Sequence, residues 1–277
     1  MGHLSTEGLS GFSEQSYHST TGAQYMLPRH LVHSVLLRAD NRLFFSRQLN
    51  LSNLSLRRTS RGSVNCEDGP FGAMIGVDEA GKGAVVGSMF VAAVACAPDA
   101  LPDGVRDSKL LAPDERERIA AHLRSSDSVT VAVVEITPKE IDTYVADGGM
   151  NDLMVEAHGR ALDALASQGR VIADASDVSA ERFARRLSER ADDSYDVSAE
   201  HGADEEHDVV GAASVVAKVE RDAHVGRYDA GSGYPGDPAT VEYLQERAPD
   251  FPACVRKSWS TAERIEREER QTGFNDF

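Results

Sequence analysis

The chain has 277 residues, 41% of them hydrophobic, and a formal charge of −16. That length holds one large domain or two small ones with a proper core. Three scattered cysteines, Cys66, Cys96 and Cys254, exclude a disulfide framework and a cysteine-based zinc site, and the longest uncharged run, Ala84 to Pro98, is too short for a membrane span. The start lacks the charged-then-apolar pattern of a signal peptide, so a monomeric cytoplasmic protein without membrane attachment is expected.

The charge is uneven. Residues 1–73 hold seven Arg and five acids, whereas residues 74–277 carry a net −18. Only five lysines stand against 24 arginines. An acidic, lysine-poor surface suits a salty cytoplasm, because net charge governs solubility more than fold. Where lysine is rare each survivor invites a chemical reading, and Lys82, Lys109, Lys218 and Lys257 all lie in motif-like stretches, while Lys139 sits at a plain helix start.

In chain order, residues 1–73 mix Ser, Thr, Asn, Leu and Arg without sustained period. They are expected to be a disordered arm, or upstream sequence ahead of a start at Met74. From there Met74–Val77 and Ser88–Cys96 read as buried strands joined closely enough to pair antiparallel. Pro113–Leu123 is a predicted helix with proline at its first position, Val129–Ile136 a third strand, and Thr137-Pro138-Lys139-Glu140 a capping box opening a second helix. Asn151–Ala166 and Ser179–Ala191 carry helical periodicity on either side of the short strand Val171–Asp174. A fifth strand, Tyr195–Ala199, precedes the long helix Asp208–Tyr228. A Gly/Pro-rich loop at Gly231–Pro238 and helices near Ala239–Arg247 and Trp259–Gln271 finish the chain. Three strands in succession, then strands alternating with helices, predict an α/β fold: a mixed five-stranded sheet flanked by helices, with a helical C-terminal extension.

The chemistry gathers where apolar strands end in acids: Asp78-Glu79, Asp174 and, after the fifth strand, Asp204. Ligands of α/β sheets collect beyond strand ends. Four carboxylates in one small volume raise one another's pKa unless cations intervene, and carboxylate oxygens are the ligands magnesium and manganese prefer. Two such ions can activate water and stabilise the leaving oxygen of a phosphodiester. The Gly81-Lys82-Gly83 turn beside the first pair lets main-chain N–H groups approach an anion. It lacks the glycine spacing of a dinucleotide fingerprint and the Gly-Lys-Ser/Thr ending of a P-loop. A single acidic pair is ordinarily a surface turn; its recurrence at three strand ends is the signal.

These residues resemble a known family. Gly76-Val77-Asp78-Glu79-Ala80-Gly81-Lys82-Gly83 is similar to the N-terminal signature of the type II ribonucleases H, in which Arg commonly takes the place of Lys82. Asp107-Ser108-Lys109-Leu110, Ala173-Asp174-Ala175, Ala203-Asp204, Ala212 to Asp222 and Gly231-Ser232-Gly233-Tyr234-Pro235 resemble further family motifs in family order, closest to the archaeal branch. The resemblance covers about residues 74–277. It implies a ribonuclease H-like catalytic domain over 74–230, a helical part over 231–270 that completes the substrate site, and a metal-dependent endoribonuclease. The family cuts the RNA strand of RNA–DNA hybrids and acts at ribonucleotides embedded in duplex DNA, leaving 5′-phosphate and 3′-hydroxyl ends.

By the same resemblance Asp78, Glu79, Asp174 and Asp204 are the metal-binding and catalytic carboxylates, for Mg2+ or Mn2+ in a two-metal site. Gly81, Lys82 and Gly83 contact the nucleic acid around the 2′-hydroxyl, the group that distinguishes RNA from DNA, and Tyr234 stacks at the RNA-to-DNA junction. Ser214 and Lys218, one helical turn apart, and Lys109 face substrate phosphates. Ser258 departs from the glycine frequent after Arg-Lys. The tail 271–277 resembles the clamp-binding peptide of replication proteins, with Gln271, Phe274 and Phe277 as its anchors in a short turn, and implies a sliding clamp as partner. The rival readings are another nuclease of this fold, such as a DNA junction resolvase, and a non-catalytic clamp-binding module.

Overall fold

The computed structural model describes residues 73–97, 100–102, 105 and 111–275. The expectations for residues 1–72, for Lys109 and for Phe277 lie outside them, as does the side chain of Phe274.

Five strands form one sheet: β1 (Met74–Ala80), β2 (Met89–Cys96), β3 (Val129–Ile136), β4 (Gly169–Asp174) and β5 (Tyr195–Glu200), in the order β3-β2-β1-β4-β5. β1 and β3 flank β2 antiparallel, and β4 and β5 continue parallel to β1. The mixed sheet is the one predicted. Its first strand is longer, so Asp78 and Glu79 lie within β1 rather than just after it. Both pair with β2, opposite Ala92 and Val91.

Helices cover both faces. α1 (Pro113–Ser125) and α6 (Asp208–Val225) lie on one side. α2 (Pro138–Ala146), α3 (Met150–Leu165) and α4 (Ala180–Arg190) lie on the other. Strand alternation divides β1 between two cores: Ile75 and Val77 pack with Leu153, Met154, Leu162 and Phe183, while Ala80 packs with Val210, Ala213 and Ala217. Gly76 sits where α6 crosses the sheet, and a Cβ there would lie 2.2 Å from the Val209 carbonyl oxygen. Only glycine lets the helix come this close to the middle of β1.

Local signals explain most helix starts. Pro113 and Pro138 occupy first turns, and the Thr137 and Ser179 hydroxyls accept from the Glu140 and Arg182 amides. The capping box at Thr137 is only half formed, because the Glu140 carboxylate binds Arg160 at 2.5 Å instead of returning to the cap. The long helix stops at Val225, three residues earlier than its sequence suggests.

The C-terminal part comprises α7 (Pro238–Gln245) and α8 (Ser260–Asn275). It packs on the segment between β1 and β2 through a third core, in which Val85 and Val86 meet Tyr243, Leu244, Phe251, Val255, Ala262 and Ile265. α8 runs on to Asn275, so residues 271–275 continue a helix where the sequence suggested a separate short turn. Cys96 and Cys254 are buried thiols outside any disulfide. Among the described residues no helix is long and apolar enough to cross a membrane.

Candidate active site

The site lies at the carboxyl ends of β1 and β4. In the parallel register Val77 pairs with Ala173, which sets Asp78 and Asp174 side by side one residue further on. Alternation sends Asp78 toward α6 and Glu79 toward α3. Asp204 arrives on α5 (Ala203–Glu206), a single turn after β5, and is buried. The Ala203 amide donates to the Asp174 carboxylate at 3.0 Å, which ties this turn to β4.

These acids act on one another. Burial, with help from Glu79 and Asp174, pushes the Asp78 carboxyl well above the ordinary carboxylate range. Burial raises Glu79, opposed by the Ser176 hydroxyl and Lys82. Asp174 is raised by burial and by the charges of Glu79 and Asp204. Among the described residues no three acidic, His or Cys side chains close around one point, as expected of like charges standing apart.

The donor set nevertheless fits a hard divalent cation. It is made of carboxylate oxygens, Asp78 and Asp204 are buried and Glu79 and Asp174 half-buried, and Glu79 Oε2 has no hydrogen-bond partner although solvent does not reach it.

Supporting residues hold each acid in place. The Ser176 hydroxyl donates to Glu79 Oε1, and the Lys82 ammonium donates to the Ser176 carbonyl at 2.7 Å. Behind Glu79 lies His158, fully buried on α3, with Nε2 3.4 Å from Glu79 Oε2. Its Nδ1 bonds the Met154 carbonyl at 2.9 Å. A carbonyl only accepts, so Nδ1 carries the proton and Nε2 turns its lone pair toward the carboxylate. Burial pulls the imidazole down to about 4.

Ser214, expected at the substrate phosphates, is fully buried instead. Its hydroxyl bonds Asp78 and accepts from Lys218 at 2.5 Å. Its position in the middle of α6, packed on the sheet, puts it beneath Asp78. The Lys218 ammonium also lies 3.9 Å from Asp204.

Beside the acids opens a cleft of about 490 Å³, lined by Glu79, Lys82, Arg116, Lys218, Arg221 and Tyr234 together with Gly81 and Gly83. Four cations line it in a chain whose net charge is −16. Arg116 and Arg221 both reach Asp222, at 3.1 and 3.0 Å. Arg221 stacks 4.4 Å from the Tyr234 ring centroid, and its guanidinium donates to the Ser232 carbonyl. Tyr234 remains 38% exposed, and its ring lies 3.8 Å from where a Cβ on Gly83 would sit. Gly81 adopts φ +89°, which an L side chain rarely takes. The expected contacts Gly81, Lys82, Gly83, Lys218 and Tyr234 therefore share one cleft.

The sequence reading missed His158, Ser176, Arg116, Arg221, Arg256 and Trp259. The lysine bias singled out Lys257, which is exposed, while its neighbour Arg256 is fully buried. Ser258, at the position where glycine is frequent, donates its hydroxyl to Asp142 at 2.6 Å and so anchors this segment to α2.

Sheet order and acidic strand ends together define a ribonuclease H-like fold. The comparisons then make the assignment specific. The ribonuclease HII family model matches residues 75–262. Ribonuclease HII of Natronomonas pharaonis is 53% identical over 213 residues, covering 74% of this chain and 99% of the relative. That of Haloarcula marismortui is 47% identical over 211 residues, covering 73% and 99%. Among solved structures, ribonuclease H2 from Pyrococcus horikoshii superposes with a TM-score of 0.66 at 36% identity, over 72% of this chain and 100% of that one. The ribonuclease HII of the PCNA complex from Archaeoglobus fulgidus superposes with a TM-score of 0.63 at 37% identity, over 69% and 96%. The chain belongs to the ribonuclease HII family, a family of endoribonucleases.

Proposed function

We propose that the chain cuts the RNA strand of RNA–DNA hybrids and the backbone at ribonucleotides embedded in duplex DNA, with 5′-phosphate and 3′-hydroxyl products. The observation that carries this reading is the meeting of Asp78, Glu79, Asp174 and Asp204 beside a cleft that combines four cations with Tyr234 and the open Gly81–Gly83 backbone. Those four carboxylates would hold Mg2+ or Mn2+, which supplies an activated water and charge stabilisation for the departing 3′-oxygen.

The chain's own residues do the rest. Ser176 fixes Oε1 of Glu79, His158 packs behind its unpartnered Oε2, and Ser214 fixes Asp78 from below. Lys82, Lys218, Arg116 and Arg221 offer positive charge to the phosphate backbone, the contact that positions a nucleic acid without reading it. Arg221 covers one face of the Tyr234 ring and leaves its exposed surface for a sugar or base. The exposed Gly83 backbone beside that ring is the place to test a 2′-oxygen.

The deciding experiment compares cleavage of a DNA duplex with and without one embedded ribonucleotide, in magnesium and then in manganese. Cutting of the ribonucleotide-containing duplex alone is expected; equal cutting of both would overturn the reading.

Two further readings belong here. The acidic, lysine-poor composition and the haloarchaeal relatives support a protein working in the cytoplasm of a salt-loving cell. At molar salt the screening length is about 3 Å, so distant repulsion of nucleic acid vanishes while direct contacts survive. Activity that peaks in dilute buffer would contradict this. The complex of the Archaeoglobus fulgidus relative with PCNA and the tail bearing Gln271, Phe274 and Phe277 support docking on a sliding clamp. Removal of residues 271–277 should abolish co-elution with the clamp and leave cleavage of short duplexes intact.

A further inference from the structure

We propose that Arg256 is a positioning residue for sugar recognition: a buried cation that holds the Gly81–Gly83 backbone from behind and strengthens the Gly83 N–H as a donor toward the 2′-oxygen. This rests on the reading that the loop tests the ribose.

Arg256 is fully buried. Its Nη1 donates to the Lys82 carbonyl at 2.9 Å and its Nε to the Gly87 carbonyl at 3.0 Å. Its own amide donates to the Val85 carbonyl at 2.9 Å. The guanidinium thus clamps the segment between β1 and β2 at both ends, with Val86 bridged to Val255 between them. Trp259, stacked 5.0 Å from the guanidinium, turns its indole N–H toward the Gly83 carbonyl at 3.4 Å. Neither Arg256 nor Trp259 is among the residues that line the cleft. The Gly83 N–H shares its peptide unit with the Lys82 carbonyl. A cation bonded to that carbonyl polarises the unit and makes the N–H a stronger donor.

Stability alone does not account for an arginine here. A buried cation pays a desolvation cost that a well-packed apolar side chain of similar size avoids. Arg256 Nη2 also has no hydrogen-bond partner, which adds to that cost. Among the described residues it forms no ion pair: its hydrogen bonds go to carbonyls, its ring contact is an indole, and Asp142 adds only a weaker favourable charge that does not offset burial. Burial draws its pKa down to about 9, so it keeps its charge at neutral pH. What an apolar residue cannot do is hold two carbonyls 5 residues apart in one geometry while lending the loop a positive charge.

The test measures binding, with EDTA present and at molar KCl, of two otherwise identical DNA duplexes, one carrying a single ribonucleotide. Wild-type protein is expected to prefer the ribonucleotide-containing duplex. Arg256→Met, which fills the space without charge, should lose about tenfold of that preference, the larger loss falling on the ribonucleotide-containing duplex. Arg256→Lys, which keeps the charge and reaches only one carbonyl, should lose about threefold, and it decides the matter if the methionine variant does not fold. Wild-type preference retained in the folded variants overturns the role of Arg256 while leaving the loop's role standing. A wild type without preference overturns the loop reading and this proposal with it.

Discussion

The two halves of the site are built on opposite principles. At the strand ends negative charge is concentrated, and Asp78, Glu79 and Asp174 are all raised, by burial first and then by neighbouring acids. Beside it, the loop of Gly81–Gly83 is held by buried or half-buried cations, Arg256 behind and Arg221 and Lys82 at its sides. The acid half is rigid because it sits on a sheet. The loop half has no regular structure of its own and borrows rigidity from side chains far along the sequence. A sheet can present charge that repels itself, since backbone pairing pays for the strain, whereas a glycine-rich loop must be pinned to be selective.

The largest expected effect breaks the acid half alone. Asp174→Asn should lower cleavage by on the order of a thousandfold or more, with the circular dichroism spectrum unchanged; residual activity within tenfold of wild type would mean that the acids are not the centre. Next comes the loop half. Tyr234→Ala should cost roughly 10–100-fold in cleavage at an embedded ribonucleotide, the value of one stacked base, with less effect on a long hybrid. Equal losses on both substrates would merge the two halves into one. Lys218→Met sits between them, touching Ser214 and lying near Asp204, and should cost about tenfold, chiefly in substrate affinity.

The smallest effect is on stability and has the opposite sign. Burial lifts Asp78 above its ordinary range, so the folded chain keeps a proton that the unfolded chain releases. That contribution is fully present below about pH 4 and is lost as pH rises through the folded value. As pH climbs through that value the metal-free fold is driven to carry a buried charge it would be more stable without. Asp78→Asn should raise the melting temperature in EDTA at pH 7 by about 2–4 °C, what 1 kcal/mol gives in a domain of this size. The gain should vanish near pH 4, as followed by calorimetry. A lower melting temperature at pH 7 would show that the acid half is not strained.

Much of this was legible locally. Apolar runs ending in acids picked out Asp78, Glu79, Asp174 and Asp204, and prolines and small polar caps marked the starts of α1, α2 and α4. The glycine turn after β1 stood out because φ > 0 and close approach leave few alternatives to glycine. The supporting residues were harder to see. His158 reads as one more position on an amphipathic helix, and Ser214 as a small residue among alanines and valines. Arg221 and Arg256 were lost among 24 arginines.

The sequence by itself determined the five strands, most of the helices and which residue types stand near the strand ends, because periodicity and capping act over a few residues. Only the tertiary structure decided which face each acid takes, that Ser214 lies buried beneath Asp78, and that Arg256 holds Lys82 across 174 residues of chain. The physical reason is that a buried hydrogen bond is a property of two distant backbones brought together. No local pattern records which arginine will lose its water.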